Sequence, residues 1–409
     1  MTRNLKVDFF TQALNALKDS HNLRTLRDFK HCGVYIVENP KAKKLLNFAS
    51  NDYLGLSTQS AAFLDSALMK ENAFFSSSSS RLLSGGFEIS HKLESLLETM
   101  FNKTCLLFNS GYHANIGLIE SLSRIEGVFF LLDSFVHASI FDGIKLSRAR
   151  FARFRHNDLA HLRELLQKNA GKYKECIIVT EALFSMDGDF APLKELIALK
   201  KEFSNLKIYL DEAHSIGVYG DLGLGLAKSL GVENEVDFIM LAFGKAIGSV
   251  GACVLCEINA REFFINFTRS LIYSTALPPI NIAFSYFVFS HLADFNAQRV
   301  HLQELSTFFK KNLSLLVEKH ADAQENADFT PQNLVLGNSQ ILSLVLGSNE
   351  RALKAYEILG KHGIFAPAIR YPTIPKNTAR LRFSLTALMQ QEHLEQALCA
   401  LEEFFAHKH

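Results

Sequence analysis

Six short apolar runs, TCLLFN, GVFFLLD, ECIIVTEAL, KIYLDEA, DFIMLAF and GACVLC, fall between residues 104 and 256, and segments of helical period separate most of them. Short apolar runs bounded by turn residues read as strands covered on both faces, and helical connections between such strands leave them parallel. This alternation predicts an α/β chain with a mainly parallel central sheet flanked by helices. With 409 residues, 48% of them hydrophobic, the chain has the apolar content for one large core and a smaller one.

The flanks of that region read differently. From about Val7 to Phe29 the apolar residues recur at helical spacing, and LLNFASNDYLGLS then gives a short strand and a polar turn. After Leu277-Pro278-Pro279 a helical period continues to about Glu318, followed by strand-like SQILSLVL, IFAPAI and RLRFSL with helices between and after. ENADFTPQN, beginning at Glu325, reads as a loop. We therefore expect an N-terminal helix and arm over residues 1–55, a large α/β domain over 56–280 and a smaller α+β domain over 281–409.

Lysine plus arginine (43) nearly balance aspartate plus glutamate (42), so no overall field draws the chain to nucleic acid or to an anionic membrane. The amino-terminal residues lack the pattern of a secretory signal, and no segment is an uninterrupted apolar span, so a soluble cytoplasmic protein is expected. Of the six cysteines only Cys253 and Cys256 have metal or redox spacing. Residues three apart on a strand face opposite sides, which argues for reduced core thiols and no metal.

Chemistry concentrates where the strands end. Lys245, in Ala242-Phe243-Gly244-Lys245-Ala246, follows one apolar run, and Asp211 and His214, in Leu210-Asp211-Glu212-Ala213-His214, close another. Side chains at the carboxyl edge of a parallel sheet face a crevice. A lysine that bonds an aldehyde, together with a carboxylate that keeps a pyridine nitrogen protonated, is the minimum apparatus for pyridoxal phosphate (PLP). Taken singly, Lys245 also reads as a solvated lysine, Asp211 as a helix cap and His214 as a core histidine.

Other strand ends add candidates. Gly111 and Tyr112, in Ser110-Gly111-Tyr112-His113-Ala114-Asn115, precede a helical pattern whose first N–H groups could receive a phosphate. His137, in Asp133-Ser134-Phe135-Val136-His137, offers a ring that could stack on a flat cofactor, and Ser185, after Thr180-Glu181, offers a hydroxyl. The serine run Ser76 to Ser80 would by itself be a flexible linker.

In order along the chain, LNFASNDYLGL, SRLLSG, LLFNSGYHAN, DSFVHAS, TEALFSMDGD, LDEAHSIGVYG, FGKAIG, IYSTALPP and AIRYPTIPKNTARLR resemble the α-oxoamine synthases, from about Ala13 to Leu398. The resemblance implies a fold-type I PLP transferase acting as a homodimer with shared active sites. It implies Lys245 as the lysine that bonds the cofactor, Asp211 on the pyridine nitrogen and His137 stacked on the ring. It further implies Ser185 and His214 on the phenolic oxygen, Gly111 and Tyr112 at the cofactor and phosphate, and Ser274 and Thr275 reaching the phosphate from the second subunit. Asn51 and Arg370 would lie near the substrate carboxylate, with Arg24 and Thr373 near the acyl substrate.

Within that family RFRHND, TEALFSMDGD, IYSTALPP and AIRYPTIPKNTARLRFSLTA are most like members that join L-alanine to pimeloyl-CoA or pimeloyl-acyl-carrier protein in biotin biosynthesis. Sister enzymes that use glycine or serine share the chemistry, and a non-catalytic subunit shares the fold. Members serving only as scaffolds are expected to lack the lysine, which this chain retains. Three segments depart from the usual pattern: Ala242 replaces a threonine, Ser76 to Ser79 replace mostly glycine, and Tyr371 replaces a proline.

Overall fold

The computed structural model describes residues 8–19, 23–58, 60–320 and 334–406, so the loop expected at Glu325 lies outside the described residues. Three antiparallel strands open the fold: β1 (Phe29–Cys32), β2 (Tyr35–Glu38) and β3 (Lys43–Asn47). Among the described residues the helix expected over Val7–Phe29 covers Phe9–Asp19, and Phe29 begins β1 instead. Gly33, at φ +61°, supplies the backbone that turns β1 into β2, and this pairing overrides the weak helical period before it.

All six apolar runs become strands of one seven-stranded sheet. Its members are β4 (Thr104–Phe108), β5 (Val128–Asp133), β6 (Phe151–Phe154), β7 (Glu175–Glu181), β8 (Leu206–Asp211), β9 (Phe238–Ala242) and β10 (Ala252–Cys256), in the order β4-β10-β9-β8-β7-β5-β6. Strands β6, β5, β7, β8 and β9 run parallel, and β10 is antiparallel to both β9 and β4. The sheet is thus a fold-type I core, mostly parallel with one reversed strand.

Alternation along each strand divides the core between the two faces. Phe129 and Leu131 pack into one hydrophobic cluster while Phe130 and Leu132 pack into the other. Each fully buried side chain of this size contributes roughly 1.5–3 kcal/mol through removal from water. The same alternation separates Cys253 from Cys256, which enter opposite clusters and cannot share a ligand. Strand β6, an edge strand with the sequence Phe-Ala-Arg-Phe in which only Phe154 is buried, carries no apolar run and was not among the expected strands.

The helical run after Leu277 breaks into Pro279–Ser290 and Asn296–Lys319, joined by a short 3₁₀ turn at Leu292–Phe295. Beyond it β11 (Val335–Leu336) and β12 (Ile341–Gly347) begin a second antiparallel sheet. The IFAPAI run is shared between two sheets. β13 (Ile364–Phe365) pairs parallel with β3, whereas β14 (Ala368–Ile369) pairs with β15 (Ala379–Ser384). The small sheet has the order β11-β12-β15-β14, backed by helices Asn349–Lys361 and Gln391–Ala406.

Two features tie the pieces together. The serine run is anchored: Ser77 Oγ donates to the Ala276 carbonyl at 2.7 Å, and Ala276 N–H donates to the Ser79 carbonyl at 2.9 Å. Gly188, at φ +70°, brings the turn after β7 against β12, and a Cβ there would lie 2.0 Å from the Ile341 carbonyl oxygen. Only glycine permits that approach.

Candidate active site

Parallel strands β5, β7 and β8 end on Asp133, Glu181 and Asp211, so the sheet delivers three carboxyl groups to one edge. Strand β9 ends beside them on Ala242, and the reversed β10 makes residues 243–251 a hairpin rather than a helical crossover. Lys245 sits in that hairpin. Backbone bonds close it at both ends: Phe243 N–H to Gly251 O and Ser249 N–H to Phe243 O, each 2.9 Å, with Gly248 N–H to Lys245 O inside.

A cavity of about 290 Å³ opens here, lined by Lys245, Asp211, Glu181, His214 and His137, and by Asn51, Gly111 and Tyr112. Its size is near the ~300 Å³ lower end for small-molecule sites. A larger groove of about 820 Å³ between the helix Asn296–Lys319 and the turn at Asn338 to Gln340 has no comparable set of acids and imidazoles. Chemistry, not volume, marks the site.

Asp211 is 5% exposed, and its carboxylate is met by Asn115 Nδ2–H on Oδ2 and Ala213 N–H on Oδ1, both at 2.9 Å. Asn115 is held in turn by Tyr209 Oη–H, which donates to Asn115 Oδ1 at 2.7 Å. Asn115 Nδ2–H also donates to Ser139 Oγ at 3.0 Å, so the Ser139 hydroxyl proton is directed to His137 Nδ1 at 2.8 Å. His137 Nδ1 accepts the Ser139 N–H as well, which assigns the imidazole proton to Nε2. His137 is exposed and lines the rim of the cavity.

Burial shifts Lys245, His137, His214 and Glu181 toward their uncharged forms. Burial pushes the Lys245 amine below its ordinary value; Asp211 and Glu181 oppose the shift and Arg382 adds to it. Desolvation of the inner edge lowers His137, against the pull of Asp211. His214 is held well below its ordinary value by burial and by Lys245 and Arg382. Glu181, 2% exposed, is driven well above the carboxylate range by burial and by the charge of Asp211. Its Oε1 has no hydrogen-bond partner, and a protonated carboxyl is the form such a place tolerates.

At the other end of the cavity Ser110 caps the helix Gly111–Ser123 by accepting the His113 N–H. The first turn of that helix presents N–H groups and its positive dipole end, a setting suited to a phosphate. Gly111 allows the close packing: a Cβ there would lie 3.3 Å from Ala242 Cβ.

The structure thus gathers Lys245, Asp211, His137, His214, Asn51, Gly111 and Tyr112 around one cavity. Ser185 is half-buried and outside the cavity lining, with its carbonyl accepting Arg382 Nε–H at 2.6 Å. Ser274 and the Thr275 carbonyl accept from Asn109 Nδ2 at 2.8 and 2.7 Å, in a neighbouring crevice that also includes Arg81. Arg24 and Thr373 are exposed and Arg370 is half-buried, all three outside the cavity lining, with Thr373 N–H donating to the Arg370 carbonyl.

Several groups were not singled out from sequence. Asn115 and Glu181 stood inside recognised motifs without an assigned role. Arg382, 6% exposed, projects from β15 and comes within 3.4 Å of Asn51 Oδ1. The alternation of Arg380 and Arg382 with Leu381 and Phe383 in one buried strand was the available signal. Tyr53, fully buried, reaches His214 Nδ1 at 2.6 Å.

A family model described as aminotransferase class I and II matches residues 43–401. The chain belongs to the class I and II aminotransferase family. Among its relatives is a Neisseria meningitidis protein provisionally named 8-amino-7-oxononanoate synthase, 43% identical over 96% of this chain and 100% of its own. Among solved structures, serine palmitoyltransferase from S. paucimobilis, with PLP and myriocin bound, superposes with a TM-score of 0.81 at 26% identity over 99% of this chain and 98% of its own. The 8-amino-7-oxononanoate synthase of Francisella tularensis superposes with a TM-score of 0.70 at 28% identity, over 88% and 97%.

These likenesses make the fold a fold-type I transferase, the resemblance to α-oxoamine synthases real, and PLP the cofactor of the family site. The residues present fit that cofactor. Buried Asp211 meets only neutral donors in Asn115 and Ala213, and a protonated pyridine nitrogen is the charged donor its environment lacks. A buried lysine whose pKa burial lowers, an imidazole at the rim and a helix N-terminus complete the set for aldehyde, ring and phosphate.

Proposed function

We propose that this transferase joins L-alanine to a pimeloyl thioester with loss of CO₂, giving 8-amino-7-oxononanoate and a free thiol carrier, the reaction required in biotin biosynthesis. The observation that carries the reading is the placement of Lys245 and Asp211 in one small cavity, within a chain 43% identical to the provisionally named synthase. The acyl carrier is coenzyme A or acyl-carrier protein, and the working form is a cytoplasmic homodimer.

PLP, when bound, supplies an electron sink for the carbanion at the amino-acid Cα. Lys245 would hold the cofactor between turnovers and then, as the freed amine whose pKa burial lowers, accept the Cα proton. Asp211 would keep the pyridine nitrogen protonated, and the Tyr209–Asn115 pair fixes the carboxylate for that task. His137 would cover the ring, with its proton on Nε2 directed away from Ser139. Ser185 and His214 would bond the phenolic oxygen, and Gly111 and Tyr112 the cofactor and phosphate end.

Asn51 and Arg370 are assigned to the substrate carboxylate, with Arg382 the buried cation already next to Asn51. Arg24 and Thr373 are assigned to the acyl chain, and Ser274 and Thr275 to the phosphate of the opposite subunit. The reaction balances simply: the bond from Cα to the acyl carbon replaces the bond from Cα to the carboxyl carbon, which leaves as CO₂, and the thioester sulfur leaves as thiol.

The test is CO₂ release and product mass with alanine, glycine and serine, each paired with pimeloyl, acetyl, succinyl and palmitoyl thioesters. Turnover of alanine with pimeloyl thioester that disappears in Lys245→Ala establishes the reading. Glycine or serine with another acyl group would assign a sister reaction, and no turnover with any pair would leave a non-catalytic PLP protein.

A further inference from the structure

His156 lies outside the cavity and takes no part in the chemistry above, yet both of its ring nitrogens face carboxylates. Nδ1 is 2.9 Å from Asp133 Oδ1 and Nε2 is 2.8 Å from Asp189 Oδ2. A neutral imidazole would turn a lone pair toward one of these oxygens, so the contacts require both nitrogens protonated. The ring stacks on Phe135, with centroids 4.3 Å apart, and meets Phe184 edge-on at 4.4 Å. Although burial disfavours the charge, hydrogen bonds and attraction from Asp133 and Asp189 raise its pKa to about 10.

The two carboxylates belong to two different turns. Asp133 ends β5, also accepts Phe135 N–H at 2.8 Å and Asn157 N–H at 2.9 Å, and begins the turn that presents His137. Asp189 lies in the turn after β7 that carries Ser185, and it also accepts Asn157 Nδ2–H at 2.8 Å. That second turn is gripped from its other side by the small sheet: Arg380 pairs with Asp187, Arg382 Nε–H donates to Ser185 O, and Ser343 Oγ donates to Met186 O at 2.7 Å. His156 is the large-sheet side of that grip.

We infer that the His156 imidazolium is a positioning residue that locks the His137 turn to the Ser185 turn, so that ring cover and phenolic-oxygen contact meet the cofactor in fixed register. This rests on the reading of the cavity as the PLP site. His156 touches neither cofactor nor substrate; it acts through Asp133 and Asp189, with Asp187 and Arg380 the next charged pair. Asn157 helps from the backbone and amide but carries no charge to hold two carboxylates together.

The experiment uses the full-length protein in three variants. His156→Gln keeps a polar side chain without charge, Asp189→Asn keeps shape without the second carboxylate, and His156→Ala leaves room for added imidazole. The PLP dissociation constant is measured by absorbance titration of cofactor-free protein, alongside the pH titration of the bound chromophore, kcat and KM for the amino acid, and Tm. The expected result is a loss of roughly 10- to 100-fold in cofactor affinity and kcat for His156→Gln, as for a displacement of about 1 Å at a reacting centre.

Asp189→Asn should move in the same direction, and imidazole should restore part of the loss in His156→Ala. A lower Tm with unchanged PLP affinity, chromophore titration and kcat in both His156→Gln and Asp189→Asn would overturn the inference and leave His156 a packing residue. If His156→Gln does not fold, Asp189→Asn alone decides in the same way. Unaltered protein that fails to bind PLP would instead overturn the reading of the cavity itself, and no acyl substrate enters that measurement.

Discussion

Tyr53 Oη lies 2.6 Å from His214 Nδ1, joining a buried phenol from the turn after β3 to a buried imidazole just past β8. Burial pushes the phenol up to about 12, so it remains protonated. Asn51 Oδ1 is its other acceptor in reach at 3.2 Å, and the shorter contact takes the proton. His214 then keeps its own proton on Nε2, as a donor available to the cofactor. Tyr53→Phe should lower stability by about 1–3 kcal/mol through the orphaned nitrogen, read by urea unfolding, and should shift the absorption band of bound PLP. An unchanged band would detach Tyr53 from the site.

Glu181 gives a second expectation. Its carboxyl is held well above the ordinary value by burial and Asp211, so the folded chain retains a proton that the unfolded chain releases above about 4.5. Stability from this group therefore falls as pH rises beyond that point. Glu181→Gln removes the dependence, and its Tm relative to the parent should improve as the pH rises above about 4.5. Cofactor-free protein is the sample for that comparison; parallel curves for the two proteins would show that Glu181 is ionised.

For His156 the sign is opposite in cause and the same in direction. The folded pKa is raised from 6.5 to about 10, so its contribution is complete below pH 6.5 and is lost as the pH climbs toward 10. Tm of the parent should decline across that interval. In His156→Gln the decline should flatten, with the larger difference between the two proteins at the acidic end.

The six thiols should divide by exposure. Cys32 and Cys399 are exposed, whereas Cys105, Cys176, Cys253 and Cys256 are buried. Burial also pushes the Cys176 thiol up to about 11 and Cys256 up to about 12, which keeps both as unreactive thiols. Ellman's reagent should titrate two thiols per folded chain and six after denaturation. Rapid labelling of more than two would mean that the sheet opens locally.

Where a feature depended on a run of neighbouring residues, the sequence showed it. Six of the seven strands from Thr104 to Cys256, all but the edge strand β6, and the strand-end positions of Asp211 and Lys245 were legible because a doubly covered strand must be continuously apolar and its end must face a crevice. Features set by distant partners were not. Asn115 is 96 residues from the Asp211 it supports, and the separate fates of β13 and β14 depend on β3 and β15. The β1–β2 hairpin was hidden because a helical period before Gly33 masked a turn that only the pairing of Phe29 with Glu38 makes worthwhile. Arg382 and His156 were passed over since a charge in a strand, or a histidine after one, gains meaning only from the groups it meets.

The reversed strand β10 has a mechanical consequence. His137 and Ser185 ride on connections leading from a strand toward a helix, whereas Lys245 is clamped in a hairpin whose two legs belong to the same sheet. Any travel of its amine must come from rotations along its own four methylenes, with the main chain as a fixed pivot. Amide hydrogens at Phe243 and Ser249 should accordingly be among the slowest to exchange at the cavity edge, making the group with the farthest to reach the one with the stillest base.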